Sequence, residues 1–240
     1  MQLEVCVDTV DGIFACQGRA DRIELCSALS AGGLTPGPGL IQIAKGSIVP
    51  VHAMIRPRSG DFDFDSADLQ CCLADIRAVR DAGLAGVVLG VSSGQGLNLR
   101  ALREQVDAAG PMICTLHRVI DTIEDPVEAL EQAIDLGFAR ILTSGGALRA
   151  EDGLERLARM QDAAQNRIEI MVGSGVTAQN AARIHHATGI RSFHASCNIG
   201  WTPKGRAVDL GFAGMETCRN TDPGKIEALR LALQRIRAQS

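Results

Sequence analysis

The sequence predicts one α/β domain, a single (β/α)8 TIM barrel spanning residues 1–240. Three observations carry that expectation. Eight short apolar runs begin near residues 3, 22, 48, 86, 112, 140, 168 and 191. Their mean spacing, about 27 residues, suits one strand–helix unit. The stretches between them repeat apolar residues at helical spacing, and neither a linker nor a compositional break divides the chain. A doubly wound open sheet is the alternative; no G-x-G-x-x-G follows the first run, which counts against it.

The elements follow in order. Runs 3–8, 22–26 and 48–55 are the first three strands. Leu69, Cys72, Ile76 and Val79 then mark a helix. After the run 86–91, Leu99, Leu102, Val106 and Ala109 mark the next, and 112–119 is the fifth strand. Asp125 and Pro126, with Glu128 three residues after the Asp, read as a capping box with proline at the first helical position. Val127, Leu130, Ile134 and Gly137 continue that helix. Runs 140–143, 168–172 and 191–196 complete the eight. Residues 200–221 read as a long loop with a short helix, and Ile226, Leu229, Leu233 and Ile236 predict a final helix over about 223–238.

Composition narrows the function. Hydrophobic residues make up 46% and charged residues 22%, which excludes a disordered or fibrous chain. Aromatics are 3% with no tyrosine, so the core must be aliphatic. A net charge of −4 without a basic block argues against a nucleic-acid partner. The N-terminus lacks the basic start and apolar stretch of a signal peptide, and the longest apolar run, near 83–91, is too short for a membrane span. Eight cysteines without a C-x-x-C pair suit free thiols in a reducing, cytoplasmic setting better than disulfides or a zinc ribbon.

Strand side chains alternate faces, and helices cover the outside of a barrel, so the polar set should point inward. That set is Glu4, Cys6 and Asp8; Arg22, Glu24 and Cys26; His52, Arg56 and Arg58; Thr115 and His117; His194 and Ser196. Charges buried in a barrel must pair, so Glu4, Glu24 and Asp8 are expected against Arg22, Arg56 and Arg58. Such a network would either only close the barrel or build a site at the C-terminal ends of the strands, where barrel enzymes work. In an enzyme, His117 near Asp121 would be the base, with Glu24 or His52 as acid. Arg56 and Arg58 would clamp an anionic group. Thr143 and Gly145, then Gly173 and Gly175, end two successive strands with small residues whose N–H groups suit a phosphate or carboxylate. Each glycine pair alone is also an ordinary tight turn. Cys16, Cys114, Cys197 and Cys218 have no partner that sequence can supply, and His185 and His186 suit a helix surface.

Several segments together resemble the CutC family of copper homeostasis proteins. They are Glu4 to Asp8; Ala20 to Ser27; Gly32-Gly33-Leu34-Thr35-Pro36; Ile55-Arg56-Pro57-Arg58 with Gly60-Asp61-Phe62; Thr115, His117, Arg118 and Asp121; Leu142-Thr143-Ser144-Gly145; Gly173-Ser174-Gly175-Val176; and His194 with Ser196. Gly37, Ser59 and Phe64 depart from the family pattern. The resemblance covers roughly residues 1–200. It implies a cytoplasmic TIM barrel, homo-oligomeric as a dimer or tetramer, associated with copper tolerance. It also points to Cys6 and Cys26 as the copper pair, and two thiolates on neighbouring strands suit soft Cu(I). Free cysteine is equally at home as a buried space-filler. No organic cofactor is expected. Two functions therefore stand: a Cu(I)-handling protein, or a barrel enzyme doing lyase- or isomerase-type proton transfer on a small anionic or phosphorylated substrate. On the second reading Arg22, Arg56, Arg58, Asp8, Thr143, Gly145, Gly173, Gly175, His194 and Ser196 would bind the substrate.

Overall fold

The computed structural model describes residues 1–212 and 219–239; Cys218 lies outside them. The chain closes a barrel of eight parallel strands in sequential order. They are β1 (Gln2–Val7), β2 (Arg22–Leu25), β3 (Val51–Met54), β4 (Gly86–Leu89), β5 (Ile113–Leu116), β6 (Arg140–Thr143), β7 (Glu169–Val172) and β8 (Ser192–Ala195), which pairs back onto β1. Every expected run overlaps its strand: β1 begins one residue before its run, 140–143 coincides with β6, and the other six runs are longer than their strands.

The covering helices are α1 (Val10–Cys16), α2 (Pro38–Ala44), α3 (Ser66–Ala82), α4 (Leu99–Ala109), α5 (Pro126–Leu136), α6 (Leu154–Ala164) and α7 (Ala181–Thr188). They are followed by the short α8 (Arg206–Asp209) and a long α9 (Pro223–Gln239). Side chains start several of them: Thr9, Asp65, Asn98 and Asp125 each accept first-turn N–H groups. The expected capping box at α5 is half formed. Asp125 accepts from Val127 and Glu128, but the Glu128 carboxylate accepts from Gln132 one turn on (3.2 Å) rather than reaching back.

The alternation rule holds. Leu3, Val5, Val7, Ile23, Leu25, Val87, Leu89, Leu116, Ile141 and Phe193 point outward into one aliphatic core shared with the helices. Burying such a side chain contributes about 1.5–3 kcal/mol. Helix faces shift slightly from the expectation. On α4 the buried face is Ala101, Leu102, Gln105 and Ala109, while Leu99 at the first turn is exposed. Two small antiparallel ribbons were not anticipated. One (Ser92–Ser93 with Gly96–Leu97) extends the connection after β4; the other pairs Asn198–Gly200 with Arg219–Thr221, at the two ends of the expected long loop. Among the described residues no helix is long and apolar enough to cross a membrane.

Candidate functional site

The barrel interior is polar on two levels. The lower level lies where β2, β6, β7 and β8 begin. Arg22 Nε donates to Glu4, and Arg22 Nη2 reaches Glu169 Oε1 at 3.5 Å. Arg140 Nε donates to Glu169 Oε2 at 3.3 Å, and Ser192 donates to Glu169 as well. Arg140 Nη1 donates to Thr115 Oγ1 at 3.2 Å and lies 3.4 Å from His52 Nδ1. Burial pushes the His52 pKa down to about 4, so the ring is neutral and accepts from that guanidinium. Against burial, His194 and Arg22 hold the Glu4 carboxyl well below the usual carboxylate range.

This network differs from the expected one. Glu4 and Arg22 belong to it, but their companions are Arg140 and Glu169. Asp8 instead accepts the Leu29 N–H at 3.0 Å. The outer nitrogens of Arg56 are held by the carbonyls of Ala31, Gly33 and Gly60. Arg58 pairs with Asp68 (2.7 Å) and Asp61 (3.0 Å) and does not line the mouth of the barrel. His52 and Arg22 also lie below the mouth, so neither reaches a ligand there. Arg140, Glu169 and Ser192 could have been found by the same alternation rule, since each opens its strand on the inward face.

Above this floor opens a cavity of about 940 Å³ at the C-terminal ends of the strands. Cys6, Asp8, Glu24, Arg56, His117 and His194 line it, and Gly175 and Ser196 sit at its rim. His194 is central. Its Nδ1 meets Glu4 Oε1 at 2.7 Å, and its Nε2 lies 3.7 Å from Glu24 Oε2. Burial alone would disfavour the imidazolium, but Cys6, Glu24 and Glu4 hold its pKa well above the ordinary histidine range. Burial pushes Glu24 up to about 6. Cys6, Glu24 and His194 offer three ligand atoms, all within 4.8 Å of one another. Glu4 fixes the imidazole from behind, as carboxylates do for metal-binding histidines. Thiol, imidazole and carboxylate together suit a borderline or soft transition metal.

Cys26 is not in that group. Its thiol donates to Glu24 Oε2 at 3.5 Å and packs with Met54, Val88 and Leu29. Burial, then the neighbouring Glu24, pushes that thiol well above its ordinary pKa. Both cysteines are inward, as expected, but the apolar plug around Cys26 keeps it protonated and off the cavity wall.

Three buried polar atoms, each on a residue that lines the cavity, have no hydrogen-bond partner among the described residues: Glu24 Oε1, Arg56 Nε and His117 Nε2. Such an atom costs about 1–3 kcal/mol when left unpaired in the interior. His117 Nδ1 accepts the Val119 N–H at 3.1 Å, and burial pushes the ring down to about 3. The ring is therefore neutral, with its proton on Nε2. That makes it a hydrogen-bond donor and a poor general base at neutral pH, contrary to the base expected from sequence. The bare Gly90 makes room for it, since a Cβ there would fall on the ring. Gly86 does the same for His52, with a Cβ position 2.7 Å from that ring.

The glycine loop after β6 is not an open anion cradle. Asp121 already fills that loop. It accepts from Thr143 Oγ1 (2.6 Å), from the N–H groups of Ser144 and Gly146 (3.1 and 2.9 Å) and from Arg118 Nε (2.7 Å). The Gly145 N–H donates to Thr143 Oγ1. Thr143 and Gly145 thus lock a loop and face away from the mouth. Gly173 lies just below the cavity, where a Cβ would stand 2.6 Å from Leu142. The two histidines on α7 diverge: His185 is half-buried, with Nδ1 2.9 Å from the Ile190 carbonyl, and His186 is exposed.

Comparison with known proteins agrees with this architecture. The model of the CutC family matches residues 1–199. A CutC family protein of Sinorhizobium medicae is 50% identical over 241 residues, covering 99% of this chain and 98% of the relative. One from Caulobacter vibrioides is 46% identical over 233 residues, covering 95% of each. Among solved structures, a CutC from Streptococcus agalactiae carrying a copper-homeostasis name superposes with a TM-score of 0.78 at 29% identity. It covers 82% of this chain and 98% of that one.

Proposed function

The chain belongs to the CutC family, and from that premise we propose that it is a copper-homeostasis protein that takes up Cu(I) at the mouth of its barrel. The observation that supports this reading is the buried group of Cys6, His194 and Glu24, with His194 oriented by Glu4. Cys6 supplies the soft sulfur donor and His194 Nε2 the second ligand. Glu24 supplies negative charge beside the cation. Cys26 acts through Glu24, holding that carboxylate by its S–H. Binding displaces the proton on His194 Nε2, so uptake releases a proton.

Anaerobic titration of the reduced protein with Cu(I) against a competing chelator tests this. Tight one-to-one binding, lost in Cys6→Ser and weakened but retained in Cys26→Ser, is the expected result. Binding unchanged in Cys6→Ser would overturn the reading. Equal loss in both variants would restore the two-cysteine clip.

A second reading, proton-transfer chemistry on a small anion, is favoured by Glu24, which lines the cavity with a pKa pushed to about 6. On that reading Glu24 exchanges the proton and His117 donates a hydrogen bond to the substrate.

A further inference from the structure

We propose that the mouth binds a small organic carboxylate, held by the Nε–H of Arg56 and the Nε2–H of His117. This pair lies outside the copper group, of which only Glu24 also enters the argument, and the inference does not rest on copper binding.

Among the described residues Arg56 is a buried cation without an ion pair. The other two buried arginines, Arg22 and Arg140, both meet carboxylates within 4 Å. Arg56, only 6% exposed, meets three backbone carbonyls instead. Those bonds hold its outer nitrogens and orient the guanidinium plane. They leave the guanidinium without a carboxylate in contact and its Nε–H without a partner among the described residues. An anion is what such a group lacks.

His117, 2% exposed, brings the second donor to the same cavity. Its tautomer is fixed by the Val119 N–H, so Nε2 always carries the proton. Phe62 touches both residues and positions them. Its ring centroid is 4.8 Å from that of His117, and the Arg56 guanidinium carbon stands 4.9 Å above it. Two donors, one charged and one neutral, match the oxygens of a carboxylate. A phosphoryl group wants more donors than this pair supplies, and the N–H groups of Ser144 and Gly146 in the loop after β6 are taken by Asp121. The cavity is far larger than an inorganic ion needs and falls in the range of small-metabolite sites. Glu24 Oε1, the third unpartnered atom, adds an acceptor on the same wall. The ligand class is therefore a carboxylate that also carries a hydroxyl or ammonium donor.

The test uses metal-free protein labelled with 15N at histidine, with lactate, acetate and inorganic phosphate as probes. The expected result is a saturable shift of the His117 Nε2–H resonance with lactate, a weaker one with acetate and the weakest with phosphate. Arg56→Gln should weaken lactate binding by at least about tenfold, the loss expected for a charged hydrogen bond. Arg58→Gln, at an arginine outside the mouth, should leave it unchanged. No shift with either carboxylate overturns the proposal, as does phosphate binding most tightly or equal binding in Arg56→Gln. The resonance shift is read on the wild-type chain, so an Arg56 variant that fails to fold still leaves the proposal open to refutation. Because no copper is present, failure here is separate from failure of the Cu(I) titration.

Discussion

The floor and the mouth of this barrel use the same residue types and reach opposite ends. In the floor, Arg22 and Arg140 share Glu4 and Glu169, with Ser192, Thr115 and His52 taking the remaining bonds. A few ångströms higher, Glu24, Arg56 and His117 each keep an atom with no partner among the described residues. A satisfied network fixes a shape; an unsatisfied one marks where another molecule completes the bonding. Polar character alone therefore does not mark a site here. The distinction lies in whether the bonding is finished.

The contrast can be broken first at the floor. Glu4→Gln removes the charge that faces both Arg22 and His194. It should cost about 3–5 kcal/mol, the usual loss when one member of a buried charge network is removed. Urea unfolding at neutral pH measures it, and a loss under about 1 kcal/mol would mean that the floor is not closed as described.

Acidification gives the next largest effect. His52 and His117 are held neutral in the folded chain, at about 4 and about 3, against 6.5 when unfolded. Below 6.5 the unfolded chain binds more protons at these rings, so stability falls as pH drops from 6.5 toward those values. Down to about pH 5 each ring accounts for about 2 kcal/mol. Glu24, raised to about 6, opposes part of this loss because its folded form takes a proton first. His117→Gln should therefore remove about 2 kcal/mol of the pH dependence, read as the difference between unfolding curves at about pH 7 and about pH 5. An unchanged slope would show that the ring is already protonated in the fold.

The smallest effect belongs to the mouth. Glu24→Gln should shift stability by less than about 1 kcal/mol, because the carboxylate is only partly satisfied by the protein. The same variant should lose Cu(I) affinity. A stability loss as large as that of Glu4→Gln would erase the distinction between the two levels.

Sequence reasoning reached the barrel because its evidence was local. Runs such as 140–143 were legible as strands from composition and spacing, and alternation turned Glu4, Glu24, His52 and His194 inward correctly. Pairing was not legible. Arg22 meets Glu169 across 147 residues, and register between distant strands decides that meeting. Alternation also treated Cys6 and Cys26 alike. Their difference comes from Met54 and Val88 packing around one thiol, a matter of depth and rotamer rather than period. The loop after β6 misled for another reason. Its small residues do gather around an anion, but that anion is the chain's own Asp121, supplied by the segment after β5.

Gly86 in β4 and Gly90 just after it are two bare positions, one filled by the His52 ring of β3 and the other by the His117 ring just after β5. They act as sockets. A ring seated in a socket cannot swing about its side-chain bonds, so its donor edge is aimed before any ligand arrives. The ordering that binding usually demands of a side chain, about 0.5–1.5 kcal/mol, is then met during folding instead. At position 90 the smallest side chain in the sequence thus sets the stiffness of the donor that a ligand would meet.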